Sequence, residues 1–297
     1  MLLRWIVENY IRSAAGSTLR SSLSQMLLQA GLKDMPGESS AGAATRQDTE
    51  ELAPPCDVLV LFALGAESGG LVDLVESPTS ARVEGFVEHA CRLEGREVVI
   101  VEAGVGVEAI SKAAENAIAF HRPRWVISAG FAGALDPQLK KSKAVLIDRF
   151  QLEGESEEVA ANAIPEGDLA KSLSALPRGK LLTVRKVVRT KKKKLRLHEE
   201  TGAIACDMET HAVATICQKL QVPLLALRIV SDSVEEELPA EIEVFLGEGS
   251  FAKKLGAAAK ALWGRPQAAL DLWRLHDDSI KLSDKLGKLL ARVIPQL

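Results

Sequence analysis

Apolar residues run without a break from Val58 to Leu64, and shorter runs of the same kind recur along the chain. Residues 97–101, 124–128, 143–148, 180–184, 203–206 and 223–230 all read this way. Continuous rather than alternating hydrophobicity predicts strands buried on both faces, as in a parallel sheet. Between these runs the period changes. Met208, Ala212, Ile216 and Leu220 recur every four residues, and Val213 with Cys217 fills the same stripe. That spacing predicts a helix over Met208–Leu220. A second helix is predicted over Val107–His121, and helical spacing resumes at Leu71 after the first strand. From Ala240 to Leu297 the chain reads as helical, with a break at Gly264-Arg265-Pro266. Strands alternating with helices predict an α/β sheet.

The strand ends carry the candidate chemistry. They hold Glu67, then Gly104-Val105-Gly106, then Ala129-Gly130-Phe131-Ala132-Gly133, then Asp207-Met208-Glu209, then Ser231-Asp232-Ser233. If the strands are parallel, these ends line one rim, where open α/β sheets bind ligands. Glycines there let a ligand approach the backbone closely. An acid after a strand also serves as a helix cap, and Asp207 reads most simply that way. Glu209 lies within the junction and can point back over the strand end. Glu67, Glu209 and Asp232 stand on different strand ends, and carboxylates with split pKa values make acid/base pairs. Ser231 and Ser233 either orient Asp232 or form a polar turn. Gly104 to Ala109 matches the G-x-G-x-x-A dinucleotide pattern, but the acid expected about 20 residues later is missing, since the next strand ends in Ser128-Ala129-Gly130. The turn is therefore read as backbone N–H groups facing an anion, hydroxyl or water, and no cofactor is expected.

Composition narrows the class. The chain has 297 residues, 47% hydrophobic and 26% charged, which predicts a large core and excludes global disorder. A net charge of −3 and a single Tyr argue against nucleic acid as a partner. The basic run from Arg185 to Arg196 reads as a solvated loop and helix start. Cys56, Cys91, Cys206 and Cys217 make no C-x-x-C, and the histidines show no ligand spacing, so no metal is expected and a reducing cytoplasm is the default. Residues 1–56 read as an Arg- and Ser-rich extension ending in a polar linker. It either docks on the body or touches a membrane surface. Residues 57–262 form the expected body and 263–297 a helical tail.

Taken in order, Gly65 to Glu67, Gly104-Val105-Gly106, Ser128 to Leu135, Asp207-Met208-Glu209 and Arg228 to Asp232 resemble the nucleoside phosphorylase superfamily. The likeness is greatest to its methylthioadenosine/S-adenosylhomocysteine nucleosidases and the related hopanoid-associated phosphorylases. The resemblance implies a three-layer fold with a mixed, mostly parallel central sheet between helices. It also implies cleavage of the N-glycosidic bond of a 6-amino purine nucleoside, and self-association. Asp232 takes the position of the acid that protonates the purine, with Ser231 beside it. Glu67 takes that of the water-activating glutamate. Glu209 takes the ribose-hydroxyl position, next to Asp207, and Met208 packs on the sugar. Gly104 and Gly106 face the nucleophile, Ala129, Gly130 and Phe131 also bind the substrate, and Val188 lies at the base. Phosphorolysis is the rival chemistry, with Arg185, Arg189 or Arg228 as anion partners. A non-catalytic nucleoside sensor is the third reading. The chain departs from the pattern at Phe131, where relatives carry a small polar residue, and at 185–189, which supplies no aromatic to stack on a base.

Overall fold

The computed structural model describes residues 55–83, 85–163, 165–239, 242 and 266–297. The expectations for residues 1–54, and for nearly all of 240–265, fall outside them. Strand β1 (Val58–Phe62) is fully buried along its length. Its side chains alternate between two cores: Leu59 and Leu61 face one, Val58, Val60 and Phe62 the other. Each such side chain contributes roughly 1.5–3 kcal/mol by leaving water, which explains the uninterrupted apolar run. β1 pairs in parallel with β4 (Arg96–Glu102) and with β5 (Trp125–Ala134), and β5 pairs in parallel with β10 (Leu224–Asp232).

β5 runs further than the pattern predicts. Its first half pairs with β1 through Ser128, and its second half continues as far as Ala134 against β10 and β9 (Ala205–Asp207). The glycine-rich stretch read as the strand's end is thus itself strand. Two further strands, β6 (Ala144–Leu152) and β8 (Arg178–Thr183), link β10 to β9. Together β5, β10, β6, β8 and β9 close a ring at one end of the mixed ten-stranded sheet. At the other edge lies a hairpin that the pattern did not reveal, β2 (Glu76–Val83) with β3 (Phe86–Leu93). Every residue of β2 is exposed, so burial imposes no pattern on it. The short β7 (Glu158–Ala160) pairs with β6.

Helices cover both faces. On one, α2 (Val107–His121) and α5 (Thr210–Leu220) pack Ile110, Ala113, Ala117, Val213 and Cys217 against the sheet. On the other lie α1 (Gly65–Val72), α3 (Gly167–Ser174) and the last helix, α6 (Pro266–Val293). Between β8 and β9 sits α4 (Lys191–Thr201). α6 begins at the Pro266 that breaks the sequence pattern, and proline suits the first helical turn. It buries Leu282, Leu286 and Leu290 in the same core as Val60 and Phe62.

α1 and α6 touch backbone to backbone. A Cβ placed on Gly70 would fall into the Ser283 carbonyl, and one on Gly287 into the backbone at Gly70 and Leu71. The Ser283 hydroxyl donates to the Glu67 carbonyl (3.0 Å) and accepts from the Gly70 N–H (2.9 Å). Gly70→Ala is therefore expected to destabilise the protein by about 1–3 kcal/mol through overpacking. A urea melt checks this: an unchanged midpoint rejects the close contact.

Candidate active site

The turn from β1 into α1 determines the position of Glu67. Its side chain reaches back over its own helix start, where Oε2 accepts from the N–H groups of Ala63 (3.2 Å) and Leu64 (3.0 Å). Oε1 accepts from the Phe131 N–H (2.8 Å) on β5. Glu67 is thus both a cap and a link between two strands. A carboxylate offers about four lone-pair sites, and three are taken, leaving one on Oε1. Gly130 makes the approach possible, because a Cβ there would lie 2.7 Å from Oε1. Burial raises the Glu67 pKa above the ordinary carboxylate range despite the opposing N–H donors and the nearby Arg228.

Glu209 stands at the entry to α5. Its Oε1 accepts from the Gly106 N–H (2.8 Å) and its Oε2 from the Met208 N–H (3.2 Å). Gly106 has φ of 102°, a left-handed conformation that glycine adopts without a Cβ penalty. Each oxygen of Glu209 keeps an open lone-pair site. Burial first, and the Asp207 charge second, push its pKa up to about 8. A carboxyl harder to ionise in the folded than in the unfolded chain stabilises the fold fully below about pH 4.3. That contribution disappears as pH rises through the folded value. Glu209→Gln, which stays neutral, should gain in melting temperature relative to the wild type between pH 4 and pH 9. Parallel melting curves at both pH values rule out the raised pKa.

Asp207 is committed to structure. Oδ1 accepts from the Thr183 hydroxyl (2.9 Å), and Oδ2 accepts from the Thr210 N–H (3.2 Å), the Thr210 hydroxyl and the Arg228 guanidinium (3.1 Å). It caps α5, as the sequence reading had it, and also closes a buried ion pair. Arg228 has no N–H to spare: its remaining donors go to the Ser128 carbonyl and hydroxyl, the Leu227 carbonyl and the Thr210 hydroxyl.

Glu67, Ala129, Gly130, Phe131 and Glu209 line one cavity of about 10 Å³, with Asp207 and Arg228 at its wall. That is room for roughly one water. Asp232, Ser231, Met208 and Val188 are not part of its lining. They form a second group around the apolar cluster of Leu135, Leu182, Val188 and Cys206, on which Met208 packs. Asp232 reaches it past Gly133, where a Cβ would lie 3.2 Å from Oδ2 and 3.5 Å from the Cys206 Sγ. The segment Cys206-Asp207-Met208-Glu209 joins the two halves, its residues serving each in turn. Gly104, with φ of 92°, donates its N–H to the Ala63 carbonyl and fixes the turn below Glu67.

One member of the second group escaped the sequence reading. Lys194 belongs to the run expected to be solvated, yet it is fully buried. Its Nζ donates to Asp232 Oδ2 (2.6 Å), the Ser233 carbonyl (2.6 Å) and the Glu236 carbonyl (2.8 Å). Asp232 Oδ1 accepts from the Ser231 hydroxyl (2.5 Å). The available signal was spacing: Lys194 lies one helical turn before Leu197, the other buried residue of α4. All four cysteines are unpaired and buried, and no cluster of metal-ligating residues occurs among the described residues.

The fold is shared with known proteins. The family profile described as the Phosphorylase superfamily matches residues 57–262. The chain belongs to this superfamily. Within it, the chain is 26% identical over 211 residues to the 5'-methylthioadenosine/S-adenosylhomocysteine nucleosidase of Shewanella sediminis, covering 63% of this chain and 90% of that one. Its fold is similar to that of the Helicobacter pylori 5'-methylthioadenosine/S-adenosyl homocysteine nucleosidase, with a TM-score of 0.62 at 19% identity over 82% of this chain and 99% of that one. It is also similar to the Colwellia psychrerythraea nucleosidase solved with adenine, with a TM-score of 0.61 at 17% identity over 82% and 96%. This superfamily member is thus a distant relative of nucleosidases. No helix among the described residues is long and apolar enough to cross a membrane.

Proposed function

We propose that this chain hydrolyses the N-glycosidic bond of a purine nucleoside bearing a 6-amino group, of the methylthioadenosine or S-adenosylhomocysteine kind. The observation that carries the reading is the water-sized cavity between Glu67 and Glu209. Glu67 has one lone-pair site left and a raised pKa, which suits a base that takes a proton from water. Glu209 has one open site on each oxygen, which suits the paired hydroxyls of a ribose. Asp232 supplies the acid: protonation of the purine nitrogen makes the base a better leaving group. As the base departs, positive charge develops on the sugar, and the carboxylates around it favour that charge.

The same cavity disfavours phosphate as nucleophile. The guanidinium of its one arginine is already saturated by Asp207 and its neighbours. An anion entering there gains no unpaired cation from the lining. Incubation with methylthioadenosine, S-adenosylhomocysteine and adenosine in phosphate-free buffer is expected to release adenine, read by chromatography. Turnover only with phosphate, yielding a sugar 1-phosphate, would show the rival chemistry. No free base from any of the three nucleosides, with folded protein and an active control enzyme alongside, would remove the reading.

A further inference from the structure

We infer that Lys194 is a positioning residue for Asp232, and that the pair, not the aspartate alone, forms the base end of the site. The inference rests on the proposed hydrolysis. Lysine is almost never fully buried unless paired, and here all three ammonium N–H groups are used. One holds Asp232 Oδ2, and two hold the carbonyls of Ser233 and Glu236. The side chain thus fixes the carboxylate and the segment that follows it with one atom.

That segment is tied down from other directions as well. The Glu236 carboxylate accepts from the Ser233 N–H (2.8 Å) and from Lys141 (3.2 Å), and Lys141 also reaches Asp278 on α6 (2.7 Å). The Leu238 N–H donates to the Arg189 carbonyl (3.0 Å), and Lys191 pairs with Glu235 (2.6 Å). Residues 233–238 are therefore fastened along the strand-to-helix turn that carries Val188 and opens α4. Lys194 is the buried centre of this fastening and the only one of these bonds that ends on Asp232 from α4. With Ser231 on Oδ1 and Lys194 on Oδ2, the plane of the carboxylate is set, and the remaining lone pairs are aimed before a base arrives. Pre-set geometry of this kind matters because a misplacement of about 1 Å costs on the order of 10²-fold in rate.

The test uses the full chain with Lys194→Ala and Lys194→Met. Truncation to Ala removes the part of the side chain equivalent to n-propylammonium, so that cation is the probe. Lys194→Ala is expected to lower kcat by on the order of 10²-fold with a much smaller change in KM. Millimolar n-propylammonium should restore at least about tenfold of that loss, and n-propanol should not. Lys194→Met keeps the volume without the charge and should show the same loss without rescue, so it replaces the alanine variant if that one fails to fold. Far-UV circular dichroism and a melt establish folding for each. A folded variant whose kcat stays within about threefold of wild type overturns the inference and leaves the hydrolysis standing. Equal rescue by propanol also overturns it, since cavity filling alone would then suffice. If the wild type itself neither releases adenine nor binds it by calorimetry, the proposed function fails and takes this inference with it.

Discussion

Asp232→Asn should slow release of the base by about 10²–10⁴-fold, the range that a positioned general acid contributes. The substitution is nearly isosteric. The asparagine carbonyl still accepts from Lys194, but the capacity to carry and deliver an acid proton is lost. It also leaves a buried ammonium facing a neutral amide, and breaking a buried pair in this way costs about 3–5 kcal/mol. A second effect, a lower urea midpoint, is therefore expected alongside the first. Rates must be referred to the folded fraction before they are compared. Single-turnover assays on the folded variant separate the two effects. A rate within tenfold of wild type would show that the proton reaches the base by another route.

Glu67→Gln should reduce hydrolysis by a similar factor, about 10²–10⁴-fold, for a different reason. The carboxylate receives three backbone N–H donors. An amide offers one oxygen, so at least one N–H must face an NH₂ group instead. The variant loses the proposed water-activating base and disturbs the turn that holds it. Binding of adenine, proposed for the other half of the site, should persist, which calorimetry reads directly. The pH profile adds a sign. Glu67 works as a base only when ionised, and its raised pKa moves the rise of kcat/KM to a pH above that of an ordinary carboxylate. In Glu67→Gln that rise should be absent from the residual activity. A wild-type profile that is already flat from pH 4 would contradict the assignment.

How much of this was legible depends on which residues burial constrains. The parallel core was readable because β1 is buried on both faces and every residue of it is apolar. Glu67, Glu209 and Asp232 were readable because each follows such a strand. The hairpin β2–β3 was not, since β2 has no buried side and so no period. The extension of β5 through Gly130 and Gly133 was hidden for another reason. Its glycines look like a loop, but they are needed as strand so that Glu67 and Asp232 can come close. Lys194 was concealed by its neighbours: in a run of four lysines only one is buried, and local composition does not distinguish it. The commitment of Arg228 to Asp207 spans 21 residues and depends on β9 and β10 both pairing with β5, which no local pattern encodes.

The contact between α1 and α6 also bears on how the molecule comes into being. Ser283 bonds the backbone of Glu67 across 216 residues of chain, and α6 begins after the family-matched region ends at residue 262. A nascent chain can therefore lay down the whole sheet while the helix bearing Glu67 still lacks its outer neighbour. Closing a contact of such long sequence separation costs loop entropy, and the seat of Glu67 is complete only with α6 in place. Trimming a recombinant product to the homologous segment would retain the three acids in sequence and remove the surface on which one of them is seated.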